Sequence, residues 1–119
     1  MVRAIRGATT VKANEKQEIL DATGELLREM VAQNGIVKED IISILFSMTT
    51  DLNAVFPAVA AREMGWDRIA MMSSHEIDVP GSLKGCIRVL MHVNTDKRND
   101  ELRYIYLKEA RVLRPDLSE

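Results

Sequence analysis

Two arginines stand where apolar strands leave little room for charge. Arg88 lies inside CIRVLMHV, residues 86–93, and Arg6 lies inside AIRGATT, residues 4–10. Alternation along the first stretch puts Cys86, Arg88, Leu90 and His92 on one face and Ile87, Val89, Met91 and Val93 on the other. Arg6 has Gly7 and Ala8 as small neighbours, which let a ligand approach the backbone. Arg62 in AVAAREM and Arg114 in VLRPD complete a set of arginines in or beside apolar segments. A guanidinium in such a place needs an anionic partner. For each arginine alone the simplest partner is a structural ion pair, and Glu63, Glu76 and Asp78 are the main candidates. Together the arginines point instead to a site for a small polyanion, in particular a dicarboxylate, because guanidinium forks grip planar carboxylates at two points. Phosphate is less favoured, since no glycine-rich phosphate loop of known spacing is present.

Other residue types offer less. His75, Glu76 and Asp78 share a turn-rich stretch, but the spacing H-E-x-D matches no familiar metal-ligand pattern. His92 reads as a satisfied strand residue. Ser73 and Ser74 lack a base and an orienting group, so nucleophilic catalysis has little support. Tyr104 and Tyr106 flank Ile105, an arrangement in which one ring packs and the other hydrogen-bonds. Met48, Met64, Met71, Met72 and Met91 read as core filler. Cys86 is the single cysteine, which excludes an intrachain disulfide and a cysteine zinc cluster and fits a small buried hydrophobe.

The elements that must position these side chains fit within one domain spanning residues 1–119. Hydrophobic residues make up 46% of the chain, enough for a folded core. A net charge of −2 gives no electrostatic case for nucleic-acid binding. Arginines outnumber lysines ten to six, a bias that matters where the arginines converge. The opening MVRAIRGATT is too short and too polar for a signal peptide, and no apolar run approaches the ~20 residues of a membrane helix. A soluble, cytoplasmic protein without a membrane partner is the expectation.

Periodicity sets the order of elements. Val2 to Val11 is β-prone. Asn14 is placed as a helix N-cap with Gln17 at the reciprocal position, and Ile19, Leu20, Thr23, Leu26, Leu27, Met30 and Val31 then recur at helical spacing until Asn34-Gly35. IISILFSMT reads as a strand buried on both faces. Pro57 suits the first turn of a second helix, AVAAREM, with Gly65 as its stop. RIAMMS within residues 67–73 is the third strand, HEIDVPGSLKG a turn region, and CIRVLMHV the fourth strand. NTDKRNDELRYIYL reads as a polar turn and short helix, and KEARVLRP as a last strand stopped by Pro115. The order β-α-β-α-β-β-α-β predicts an α+β (α/β-like) fold: a mixed five-stranded sheet with helices on one face. Its other face, lined with Ala, Met, Leu and Arg, then wants a partner, so oligomerisation follows.

The segments IRGATTV, DLNAVFPAVAARE, EIDVPGSLKGCIRVLMHVNTD and YLKEARVLRPDLS, in that order, resemble the monofunctional bacterial chorismate mutases of the trimeric pseudo-α/β-barrel class. The similarity runs from residue 3 to residue 118. The resemblance implies a homotrimer whose active sites lie between subunits, with chorismate as substrate and prephenate as product, on the route to phenylalanine and tyrosine. It implies no cofactor and no metal, because one C–O bond breaks and one C–C bond forms within a single molecule. The enzyme's task is to hold a compact chair-like conformer and to stabilise charge on the ether oxygen.

The resemblance also implies roles. Arg88 matches the donor to the ether oxygen and a carboxylate, Arg6 and Tyr106 the binders of the side-chain carboxylate, and Glu76 the acceptor of the ring hydroxyl. Phe56, Ala58, Arg62 and Met72 fall at the pocket wall and mouth, contributed by the neighbouring subunit or its rim. Leu113 and Arg114 fall at a C-terminal contact. Ser73 stands where cysteine is common, and Val59 where lysine is frequent, so one steering charge is expected to be missing. The short tail from about residue 115 leaves little to cover the site. Two other readings differ in class: a non-catalytic trimeric sensor of small carboxylates, and an imine or enamine deaminase on a similar trimeric fold.

Overall fold

A computed structural model describes residues 1–113. Five strands form one mixed sheet: β1 (Val2–Thr10), β2 (Ile41–Met48), β3 (Ala70–His75), β4 (Cys86–Asn94) and β5 (Ile105–Tyr106). The spatial order is β3-β2-β4-β1-β5. The central strand β4 runs antiparallel to β1 and β2, while β3 and β5 lie parallel to β2 and β1 at the two edges. Two helices, α1 (Lys16–Asn34) and α2 (Ala58–Glu63), pack on one side.

Helix α1 begins one residue later than the sequence pattern predicts. Glu15, not Asn14, is the N-cap: its backbone is extended and its carboxylate accepts the Gln17 amide at 2.7 Å. Gln17 turns along the helix and donates to Asp21, so no capping box forms. Asn14 is used elsewhere. Its Oδ1 accepts from the Asn53 and Ala54 amides and its Nδ2 donates to Asn53 Oδ1, which pins the loop ahead of α2. The helix stops where expected: Gly35 takes φ 63°, and the Ile36 amide reaches back to the Val31 carbonyl.

The core lies between the helices and the sheet. Leu26, Leu27 and Met30 of α1 and Ala58 and Ala61 of α2 meet Ile5, Ile44, Phe46, Val89, Met91 and Val93. Each large side chain so buried contributes about 1.5–3 kcal/mol. Gly7 lets α1 approach: a Cβ there would lie 2.5 Å from Met30 Sδ.

Four expectations give way to tertiary context. Strand β2 is buried on one face only, with Ile44, Phe46 and Met48 inward and Leu45 41% exposed; Ile42 occupies a bulge in the pairing with β4. The last strand is not KEARVLRP. It is Ile105–Tyr106, inside the stretch read as a short helix, because β1 offers an open edge that accepts a parallel partner. Lys108, with φ 53°, turns the chain out of extended geometry, and Lys108–Val112 forms a 3₁₀ turn. The helix expected in NTDKRNDELRYIYL shrinks to one 3₁₀ turn at Asn99–Glu101, where the Glu101 carboxylate accepts the Arg98 amide. β3 begins and ends two residues after the RIAMMS segment.

Candidate active site

Pairing register builds a line of side chains across the face the helices leave open. Ser74 is opposite Ser47, Ser47 is opposite Arg88, Arg88 is opposite Ala8, and Ala8 is opposite Tyr106. Directly paired residues share a face, so this row crosses all five strands with Arg88 at its centre. The next row is Met72, Leu45, Leu90 and Arg6. Small residues, Ala8 on one side and Ser47 on the other, leave room over Arg88. The alternation read in CIRVLMHV is thereby resolved: Ile87, Val89, Met91 and Val93 enter the core, and Arg88, Leu90 and His92 stand half-buried on the open face.

A cleft of about 480 Å³ opens on this row, with Arg6, Met72, Glu76, Arg88 and Tyr106 among its walls. Arg88 Nε lies 3.0 Å from Glu76 Oε2. Glu76 directly follows β3, and its amide donates to the Met48 carbonyl at 2.8 Å, which anchors it beside β2. Arg6 is half-buried and forms no ion pair among the described residues. The Tyr106 hydroxyl is buried and has no hydrogen-bond partner among the described residues. An unsatisfied buried hydroxyl costs about 1–3 kcal/mol, so its retention here fits a ligand oxygen as partner. The chemical content is two guanidiniums and a phenol facing one cavity, with one carboxylate able to accept a proton donor.

Other groups near Arg88 have structural work. Burial pushes the Cys86 thiol above its ordinary value, only partly offset by the Arg88 charge, so the residue is a neutral thiol at neutral pH. The Thr49 hydroxyl holds the Asp51 carboxyl below its ordinary value, and the Gly85 amide and Lys84 add to this against desolvation. His75 Nε2 contacts the Leu52 carbonyl at 2.9 Å, and His92 Nδ1 contacts Ser43 Oγ at 3.2 Å.

One chain does not gather every residue marked by its sequence. Phe56 and Ser73 line a separate hollow of about 490 Å³, between the Asn53–Pro57 loop and the end of β3. Register puts Ser73 opposite Phe46, and Ser74, not Ser73, joins the Arg88 row. Leu113 borders a smaller hollow that shares Glu76 and Arg88 with the main cleft. Ala58 is buried at the start of α2, and Arg62 is exposed on α2 and lines neither of the two larger hollows. Arg114 lies outside the described residues. Ser47 and Ser74 were not singled out for the cleft by sequence reasoning, because their place beside Arg88 depends on register alone.

Comparisons with known proteins bear on the chain as a whole. The family model described as "Chorismate mutase type I" matches residues 2–117. Chorismate mutase AroH of Bacillus subtilis is 49% identical over 119 residues, covering 99% of this chain and 94% of that protein. Chorismate mutase AroH of Thermus thermophilus is 48% identical over 118 residues, covering 98% and 97%. A solved chorismate mutase from Clostridium thermocellum superposes with a TM-score of 0.91 at 56% identity, covering 92% of this chain and 98% of that one. With sequence and backbone matching along nearly its whole length, the chain belongs to the chorismate mutase type I family.

Proposed function

We propose that the conversion of chorismate to prephenate by this enzyme takes place on the open sheet face, with Arg88 donating to the ether oxygen as its bond breaks. The observation that carries the assignment is Arg88 at the centre of a row spanning five strands, over a cleft that also holds Arg6, which forms no ion pair among the described residues. Charge on the ether oxygen is greatest in the transition state, so a donor fixed there accelerates the reaction more than it tightens substrate binding. Arg6 and the Tyr106 hydroxyl take a carboxylate, and the Glu76 carboxylate accepts the ring hydroxyl. The reaction is internal to one molecule, so these residues bind, fold and polarise; they need not carry a proton. Membership of an enzyme family favours catalysis over the sensor and deaminase readings.

The same reading includes a homotrimer of single-domain subunits working in the cytoplasm. Its support is twofold. Leu45 and Met72 stand exposed beside the cleft, and Phe56 is 70% exposed on a hollow of its own. In a trimer, the Phe56 and Ser73 hollow of one subunit closes the Arg88 cleft of the next. Leu113 and Arg114 then contact the substrate from the C-terminal side, and Arg62 and Ala58 shape the mouth. No helix among the described residues is long and apolar enough to cross a membrane.

The test is turnover of chorismate to prephenate by purified Arg88→Ala protein. The expected result is a loss of at least about 10²-fold in kcat, since one such donor contributes about 3 kcal/mol, with the fold and assembly retained. Turnover near that of the unaltered enzyme would overturn the assignment of Arg88.

A further inference from the structure

Residues 48–51, at and just after the end of β2, hold both halves of the Arg88–Glu76 pair from behind. The Met48 carbonyl accepts the Glu76 amide at 2.8 Å. Thr49 brackets Cys86, two residues before Arg88: its amide donates to the Cys86 carbonyl at 3.0 Å, and its Oγ1 accepts the Cys86 amide at 3.0 Å. Asp51 Oδ2 accepts the Gly85 amide at 2.9 Å. Thr49 and Asp51 thus grip two consecutive residues, Cys86 and Gly85, where β4 begins. The carboxylate is charged at neutral pH, which strengthens the bond it accepts from Gly85.

These bonds fix where β4 starts. The Gly85 carbonyl is held from the other side by the Val11 amide at 2.8 Å, so the backbone just before the strand is gripped on two sides. Arg88 lies in β4 and Glu76 just past β3; Met48 at the end of β2 holds the Glu76 amide, and Thr49 and Asp51 directly after it hold the start of β4. We propose that Thr49 and Asp51 are positioning residues for catalysis: they set the height of Arg88 against Glu76 and contact no substrate themselves. This rests on Arg88 being the transition-state donor. A displacement of about 1 Å in such a donor costs up to ~10²-fold in rate.

The experiment measures kcat and KM for Asp51→Ala, Asp51→Asn and Thr49→Val, alone and combined with Arg88→Ala, well below each variant's unfolding midpoint. Asp51→Ala and Thr49→Val are expected to lower kcat about tenfold with KM changed by less than about threefold. Asp51→Asn keeps an acceptor oxygen and recovers most of that loss. In the Arg88→Ala background the same changes cost almost nothing further, because the group they position is gone. Folded Asp51→Ala and Thr49→Val enzymes with unaltered kcat would overturn the proposal, as would a full additional loss on Arg88→Ala. If Arg88→Ala alone keeps its turnover, the catalytic reading fails first, and the two failures are told apart. Thr49→Val provides the answer if Asp51→Ala does not fold.

Discussion

Arg88 Nε and Glu76 Oε2 lie 3.0 Å apart, yet each side chain keeps about a third of its surface exposed, at 38% and 32%. The pair is neither a buried structural bridge nor a free surface contact. A half-solvated pair of this kind contributes little to folding. Its value lies in orientation, because the carboxylate turns the guanidinium toward the cleft while remaining able to accept a hydroxyl. Arg88→Lys supplies charge without the planar fork and should lose at least about 10²-fold in kcat/KM. Glu76→Ala should lose activity as well while changing the unfolding midpoint little. Steady-state kinetics beside thermal unfolding checks both.

Tyr106 gives a prediction of opposite signs. Its hydroxyl is buried and has no partner among the described residues, so Tyr106→Phe removes a polar burden and should stabilise the protein by up to about 1 kcal/mol. The same change removes the proposed carboxylate donor, so KM for chorismate should rise several-fold. Denaturant unfolding and a chorismate titration on one preparation test the pair of outcomes. A destabilised variant with unchanged KM would refute both.

Gly85 carries a backbone requirement. Its φ is 61°, and a Cβ there would lie 2.5 Å from the Val11 carbonyl oxygen. Gly85→Ala therefore faces both strain and a clash with backbone that cannot swing aside. A loss of at least about 1–3 kcal/mol is expected in chemical denaturation, since left-handed strain alone costs that much.

The pH response separates chemistry from stability. With no proton transfer in the reaction, kcat should stay flat through neutral pH, and a steep bell with a histidine-like limb would contradict this. The Cys86 thiol behaves otherwise. Its folded value lies above the ordinary 9.0, so the stability from keeping it neutral is fully present below that pH. It is lost as pH rises through the folded value. Unfolding of the parent protein should become easier in that alkaline range, and Cys86→Ala should flatten the trend.

Assembly is tested at Leu45. It stands 41% exposed on the open face, next to Met72 at 66%. Leu45→Glu should break a trimer into smaller species by placing a charge in the interface, with activity lost in parallel. Sedimentation of both proteins at matched concentrations decides it. A parent protein that sediments as a monomer with full activity would reject the trimeric site.

Much of this was legible in the sequence, for reasons that differ by residue. Alternation alone put Arg88 on the face opposite Val89 and Met91, because period two survives in any regular strand. Arg6 stood out by its apolar surroundings and Glu76 as a candidate anionic partner, family resemblance gave them and Tyr106 their roles, and the three met in one cleft. Register was not legible: nothing in the sequence says that Ser47 rather than Leu45 faces Arg88, since that choice is made by pairing across strands. Asn14 has the chemistry of a cap but is drawn away by two amides some forty residues on, leaving the cap to Glu15. The fifth strand was misplaced because two residues are too few to show a period, and the open edge of β1 recruited them.

The strand order has a consequence for how the enzyme comes apart. β4 is laddered on both sides, nine residues against β1 and seven against β2, so its amides should be among the slowest to exchange with solvent. β3 is an edge strand laddered on one side only, and Glu76 sits just past its end. Local opening therefore detaches the carboxylate long before it frees the guanidinium. Under mild denaturant the site should then lose Glu76 while the central strands hold, with Arg88 still in place and its orienting partner gone.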